Sequence, residues 1–290
     1  MAAEPIQPLT APSAEAWSLA ERLWPLTSVL LWEASVKLLP GQALTRRFML
    51  TLHPPRRPRA SAALGRLLLE LGLPAAFAQD LKARLGAACS LHVAIEGEGP
   101  RTLHKLYLEL PQSARSTAAD AANGDAGRLV HLAYKWDPQH PARRSIAQYR
   151  DWSAADTATL CARIDSLLPG ASPPADLLRD AARTLVSRAA QRLSAAELML
   201  LAVTEGGNQR RSFDLGLYDA ELPVGALRTP LLGLARGFDL PTGAAAALLD
   251  ALADTPLGHF AGGIARDGRP FCTLFYGAGR LAPPAAAGGR

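Results

Sequence analysis

A hairpin pattern recurs five times in this chain, and it limits the possible folds more than any other feature. In residues 31–52, two stretches with a two-residue period flank the turn signal Pro40-Gly41. Similar pairs of stretches follow at residues 90–110, 129–152, 197–218 and 258–276. Because successive side chains of a strand point to opposite faces, each hairpin has one apolar and one polar face.

Helical segments, mostly in pairs, separate the hairpins. The sequence predicts a short helix at 14–23 behind a Ser13 cap, and longer helices at about 61–71, 75–85, 154–168, 174–193, 224–237 and 242–253.

Ten mainly antiparallel strands with one polar face each favour an α+β fold, in which the strands close into a barrel with helices outside and a polar lumen. Two side-by-side α+β domains are the alternative. A doubly wound parallel sheet is rejected, because its strands would be apolar on both faces.

The same pattern divides the chain of 290 residues. We expect residues 1–13 to be a loose segment, residues 14–278 to form one barrel domain, and residues 279–290 to be a disordered tail. Small and polar residues at 111–127 predict a loop. There is no apolar run of about 18 residues, and the first residues lack the basic and apolar regions of an export signal. We therefore expect a cytoplasmic protein without a membrane span.

The net charge of +5 does not by itself indicate nucleic acid, because only residues 56–59 (RRPR) form a basic cluster. A small anionic substrate explains the positive charge equally well. The three cysteines are far apart and the six histidines form no ligand-like pair, so the sequence predicts reduced thiols and no protein metal site.

Ionisable side chains concentrate on the polar faces of the predicted hairpins. Glu33 and Lys37 share one face of the first strand, and Arg47 lies on the polar face of the next. Lys105 and Lys135 occupy equivalent faces in the second and third hairpins. In a closed barrel these side chains would meet inside, so the sequence predicts an internal site with several cations and a carboxylate.

Two stretches resemble a known enzyme family. The first hairpin contains EASVKLLPGQALTRRFMLTL and resembles that of the cyanobactin peptide prenyltransferases, which carry an EAS-x-K stretch followed by an RF-apolar strand. The stretch LHKLYLEL is similar to a second-hairpin strand of that family, in which a ring-bearing residue follows a lysine after two positions. The layout of residues 17–277 resembles the αββα-barrel (PT-barrel, or ABBA-fold) aromatic prenyltransferases.

The resemblance implies a transferase that moves a short isoprenyl group, dimethylallyl or geranyl, from its diphosphate to an acceptor. It implies that Arg47 and Lys105, which lie in the matching stretches, bind the diphosphate; we expect Lys135 to join them from its strand face and its charge. It also implies that lumen tyrosines shield the allylic cation, although a strand tyrosine can equally be a packing residue; the candidates are Tyr107, Tyr149, Tyr218 and Tyr276. Like PT-barrel enzymes, the chain lacks the DDxxD motif, so Mg²⁺ can assist only without a dedicated protein site.

Glu33 resembles the family glutamate that contacts the acceptor and removes its proton; the alternative is a structural ion pair with Lys37 or Arg47. Asp214 would be a second acid for acceptor binding, unless it pairs with Arg210 or Arg211. Two acids could also hold a guanidinium. With these acids, the resemblance implies that the acceptor is a Tyr, Trp or Arg side chain of a ribosomally made, cyclic peptide. The alternatives are a small aromatic metabolite, or a catalytically silent barrel that serves as a binding module in peptide maturation.

Overall fold

The computed structural model describes residues 6–111, 127–168, 173–207 and 210–283. One sheet contains all the strands of these residues, which are β1 (Leu30–Leu39), β2 (Gln42–Leu44), β3 (Arg47–Leu52), β4 (Ser90–Glu98), β5 (Arg101–Glu109), β6 (Leu129–Asp137), β7 (His140–Asp151), β8 (Leu200–Glu205), β9 (Arg211–Gly216), β10 (Leu257–Ile264) and β11 (Pro270–Arg280).

The sheet closes on itself. Neighbouring strands pair antiparallel from β1 and β3 through to β11, and β11 pairs back with β1, where Ser35 lies opposite Phe275 and Lys37 opposite Thr273. β2 and β3 together form the second arm of the first hairpin, interrupted between Leu44 and Arg47. The sheet therefore has ten arms, and the predicted ten-stranded antiparallel barrel of the α+β class is confirmed.

Helices follow most of the hairpins. They are α1 (Ala14–Leu23), α2 (Pro58–Glu70), α3 (Ala75–Arg84), α4 (Thr157–Leu167), α5 (Pro173–Ala189), α6 (Arg228–Gly237) and α7 (Thr242–Ala251). Ser13 caps α1 as predicted, since its hydroxyl accepts a hydrogen bond from the Ala16 amide at 3.2 Å. None of the described helices has the length and apolarity needed to cross a membrane.

The main core lies between the outer face of the barrel and the helices. Leu50, Leu106 and Leu215 of the strands are fully buried in one cluster with helix residues such as Leu68 and Leu185. This burial fixes the register, because a slip by one residue would turn the whole apolar set inward. The same register directs the alternate, polar side chains into the lumen.

Two strands run further than their sequences indicate. β4 continues to Glu98 and β8 to Glu205, although the glycine-containing stretches at 96–100 (EGEGP) and 205–209 (EGGNQ) are typical of turns. The loop predicted at 111–127 and parts of both predicted termini lie outside the described residues. β11 includes residues 279 and 280, which the prediction assigned to the tail. The division into domain and termini stays a prediction.

Candidate active site

The barrel lumen contains two adjoining cavities. One of about 250 Å³ lies toward the hairpin turns; we call it the cationic chamber, because eight cationic side chains and four carboxylates line it among the described residues. The other, of about 520 Å³, lies toward the opposite end of the barrel. We call it the aromatic chamber, and the rings that line it belong to Trp32, His92, Tyr107, His131, Tyr149, Tyr218, His259 and Phe275.

Arg47 and Lys105 meet at a single carboxylate in the cationic chamber. Glu96 of β4 lies between them, with Arg47 Nη2 2.8 Å from its Oε1 and Lys105 Nζ 2.6 Å from its Oε2. All three side chains are buried. Burial alone would raise the pKa of Glu96, but the charges of Arg47 and Lys105 outweigh it and lower that pKa to about 2. Glu96 is therefore ionised, and it compensates part of the buried positive charge.

Lys135 belongs to a second ionic cluster of the same chamber. It lies directly across from Lys105 in the register of β5 and β6. Its Nζ is 2.9 Å from Glu205 Oε2, and Arg210 Nη1 is 3.3 Å from the same oxygen. Burial lowers the pKa of Lys135 well below its usual value, and the charges of Arg210 and Lys105 lower it further. This chamber suits an anion that offers several oxygen atoms to such donors.

Tyr107 and Tyr149 stand where the two chambers meet, since both side chains line each of them. Their ring centroids are 5.7 Å apart in an edge-to-face arrangement. Burial raises the pKa of both hydroxyls, to about 12 for Tyr149, so both side chains stay neutral. Phe275 also borders both chambers. The faces of such rings can stabilise a cation that lies between the chambers.

Glu33 lies in the aromatic chamber, where it accepts a hydrogen bond of 2.6 Å from the Tyr218 hydroxyl on Oε1. Its Oε2 is buried without a hydrogen-bond partner among the described residues. Burial raises the pKa of Glu33 to about 7, against the opposing effects of His259 and Tyr218. Gly258 permits the contact, because a Cβ there would lie 2.4 Å from Tyr218 Cε1 and 2.5 Å from Glu33 Oε1.

The alternative role of Glu33, an ion pair with Lys37 or Arg47, is not formed among the described residues. Lys37 Nζ lies 3.7 Å from Glu98 Oε1 and Arg47 pairs with Glu96. The Glu33 carboxyl is therefore available to a group that enters the aromatic chamber.

Asp214 pairs with a histidine that sequence reasoning did not select. Nδ1 of His259 on β10 lies 2.8 Å from Asp214 Oδ1. Burial opposes a charge on the imidazole, but Asp214 raises the pKa of His259 to about 9, so the ring is protonated at neutral pH. Of the alternative partners, Arg210 has its Nη1 3.3 Å from Glu205 Oε2, and Arg211 is exposed. A guanidinium held by Glu33 and Asp214 together would have to compete with His259.

Tyr276 requires a correction. The prediction placed its side chain in the prenyl pocket, but Tyr276 lies on the outer face of β11, opposite Ala34, and is buried in the core beneath the helices. Phe275 is the lumen residue at this level of the strand. Of the predicted site residues, the structure brings the other eight into the two chambers, and these are Glu33, Arg47, Lys105, Tyr107, Lys135, Tyr149, Asp214 and Tyr218.

Sequence reasoning left several ionisable residues of the chambers unselected, and three of these pair directly with predicted site residues. Glu96 and Glu205 each precede a glycine, which is typical of a turn, although the alternation His92, Ala94, Glu96 already places Glu96 on the polar face of β4. His259 offered no signal of its own, because its partner lies on a neighbouring strand whose register the sequence does not give.

The comparisons with known proteins identify the fold. No protein-family model and no curated protein matches the chain. A 5-dimethylallyltryptophan synthase structure from Streptomyces coelicolor is similar with a TM-score of 0.54 and 16% identity, over 92% of this chain and 93% of that chain. PriB with product diphosphate is similar at 0.52 and 16%, over 84% and 79%. AnaPT from Neosartorya fischeri is similar at 0.51 and 15%, over 85% and 77%. At these identities the likeness establishes the PT-barrel fold, and the cyanobactin branch stays a prediction.

Proposed function

We propose that the chain is a prenyltransferase that moves a dimethylallyl group from its diphosphate to an acceptor bound in the aromatic chamber. The observation that carries this proposal is the direct contact of two unlike chambers in one lumen, one rich in cations and one lined by rings, with Tyr107 and Tyr149 between them. A donor lying across this boundary would have its diphosphate among cations and its allylic carbon among aromatic faces.

Arg47, Lys105 and Lys135 bind the diphosphate in this proposal, and Arg210 joins them. The bond between the allylic carbon and the diphosphate oxygen breaks, and its electron pair stays with the leaving group. Cations already in place stabilise the negative charge that develops there. The four side chains are held by Glu96 and Glu205, so little reorganisation is needed when the donor binds.

The ring faces of Tyr107, Tyr149 and Phe275 stabilise the allylic cation at the boundary. Tyr218 has a different role, since its hydroxyl is engaged with Glu33 at the mouth of the aromatic chamber. The carbon–acceptor bond forms as the acceptor nucleophile attacks the allylic carbon, and the acceptor's proton passes to the Glu33 carboxylate. The unpartnered Oε2 is the oxygen that accepts it.

Magnesium has no dedicated site in this proposal. The buried carboxylates of the cationic chamber, Glu96 and Glu205, are already paired with lysine and arginine side chains. These residues do not fit a carboxylate-held Mg²⁺ ion, which takes oxygen ligands that are free to coordinate. Protein cations neutralise the diphosphate instead.

The acceptor in our proposal is a Tyr or Trp side chain of a peptide. The residues Leu31 and Tyr218, which line the aromatic chamber, are 41% and 42% exposed, so an acceptor side chain can enter there while its peptide remains outside. The Asp214–His259 pair disfavours an arginine, because a protonated imidazole already occupies the second acid. A free indole metabolite is the second candidate, supported by the name of the similar 5-dimethylallyltryptophan synthase.

The test is mass spectrometry after incubation with dimethylallyl or geranyl diphosphate, with and without Mg²⁺. The acceptors are cyclic peptides that carry Tyr, Trp, His or Arg, together with free tryptophan. Addition of one prenyl group to a Tyr or Trp peptide is expected, and it should disappear in Lys105→Gln but persist in Lys82→Gln, whose side chain is exposed on α3. Products from free tryptophan alone would favour the metabolite. If no acceptor gained a prenyl group and the protein bound no diphosphate, the result would favour the catalytically silent barrel.

A further inference from the structure

Three neighbouring strands bring two histidines and a glutamate to one wall of the aromatic chamber. His92 lies on β4, Glu109 on β5 and His131 on β6, and Glu109 is directly opposite His131 in the register. All three line the chamber. The candidate transfer chemistry described above uses none of them.

The donor atoms of these three side chains are close enough to share an ion. One ligand atom from each lies within 4.8 Å of the other two, and His92 Nε2 is 3.5 Å from Glu109 Oε2. Metal–ligand bonds of about 2.0–2.2 Å in a tetrahedron separate its ligand atoms by roughly 3.3–3.6 Å. One edge of the required triangle is therefore present, and small side-chain rotations would close the others.

His92 is oriented as a metal ligand would be. Its Nδ1 is 2.8 Å from the hydroxyl oxygen of Thr51 on β3, so the outer nitrogen of the ring has a fixed partner. Its Nε2 is buried and lies 3.5 Å from Glu109 Oε2, with no shorter hydrogen bond among the described residues. A hydrogen bond to the nitrogen that does not bind the ion is a common feature of histidine ligands, because it fixes the orientation of the ring.

We propose that His92, Glu109 and His131 bind one divalent transition-metal ion of the zinc type in the wall of the aromatic chamber. Two imidazoles and one carboxylate are a ligand set that suits Zn²⁺. Three protein ligands would leave one tetrahedral position open, and all three line the chamber. The site goes beyond the proposed prenyl transfer and does not depend on it.

The test uses the full chain, treated with a chelator and desalted, without any prenyl diphosphate. Zn²⁺ is titrated by calorimetry, and Co²⁺ by the visible absorption that a tetrahedral site gives. We expect one ion per chain. Thr51→Val should weaken binding about 10–100-fold, as loss of an outer partner does. His131→Ala and Glu109→Gln should weaken it by more, whereas His140→Ala, on an exposed side chain at the turn end, should leave it unchanged.

The proposal would be overturned if the folded chain bound neither ion saturably, or if His131→Ala and Glu109→Gln bound Zn²⁺ as the parent does. The Glu109 side chain is 38% exposed, so its amide variant tests the site even where His131→Ala does not fold. Metal binding is measured without a prenyl donor, so the two proposals can fail separately. A chain that binds metal but transfers no prenyl group would refute only the proposed function. A chain that transfers the prenyl group but binds no metal would refute only the metal site.

Discussion

Replacing Glu96 by glutamine tests whether the cationic chamber is held together by charge. The carboxylate is 4% exposed and contacts Arg47 at 2.8 Å and Lys105 at 2.6 Å. Its removal leaves two buried cations facing each other, with Lys37 close by. Loss of one partner from a buried ion pair costs about 3–5 kcal/mol. The pKa of Glu96, lowered from 4.5 to about 2, corresponds to a similar value of roughly 3 kcal/mol.

The assay is thermal unfolding of the parent and of Glu96→Gln across pH. For a chain of this size, about 3–5 kcal/mol corresponds to a Tm decrease of roughly 5–8 °C. Because the folded state depresses the pKa of Glu96, its contribution is full above pH 4.5 and is lost as pH falls toward about 2. The difference between the two proteins should therefore narrow in acid. Inorganic diphosphate should raise the Tm of the variant more than that of the parent, since it replaces the missing negative charge.

Glu98→Gln is the matched control. Its carboxylate is 36% exposed and lies 3.7 Å from Lys37, so we expect a change of at most about 1 kcal/mol. If Glu96→Gln lost no more thermal stability than Glu98→Gln, or if diphosphate stabilised both equally, Glu96 would not be the charge that holds the chamber.

Three further predictions concern the aromatic chamber and its limits. Glu33→Gln should lower the transfer rate about 10²–10⁴-fold and remove its rise with pH through about 7. Because burial raises the pKa of Glu33, its ionised form destabilises the fold, so the variant should have the higher Tm above pH 7. A lower Tm of the variant there would contradict the assignment. Gly258→Ala should displace Tyr218 and lower kcat. Gly243→Ala, at a position of α7 with no atom near the added Cβ, should leave kcat unchanged and serves as the control. Tyr276→Phe should change kcat by no more than about twofold, because the side chain lies in the outer core. A larger loss of kcat would indicate that the Tyr276 hydroxyl acts in the lumen.

The barrel could be predicted because polar and apolar residues alternate along its strands, which distinguishes the inner face from the outer face. The two-residue alternation in β3 and β5, with Pro40-Gly41 as a turn signal, is enough to recognise hairpins. The same alternation placed Arg47 and Lys105 on the inner face. The face on which each of these side chains lies depends only on local strand alternation, which can be read from a single sequence.

The pairings inside the lumen could not be predicted in the same way. Glu96 and Asp214 each find their partners on adjacent strands, and that depends on register rather than on local spacing. β11 misled the prediction of Tyr276 because both of its faces are apolar, with Phe275 inside and Leu274 outside, so alternation carries no signal there. The glycines that follow Glu96 and Glu205 are typical of turns, so the sequence alone does not show that both glutamates still lie on strands.

The contrast in charge between the chambers gives the lumen a direction. At one end, eight cations face five carboxylates among the described residues, the four that line the chamber and Glu96, and this leaves a positive excess that a diphosphate can neutralise. At the other end, burial outweighs the nearby His259 and keeps the pKa of Glu33 near 7, so that end does not attract an anion. In the proposed function, a prenyl diphosphate therefore has one favourable orientation, with its phosphates toward the hairpin turns. Its allylic carbon then lies beside Tyr107 and Tyr149, on the side from which an acceptor near Glu33 can attack.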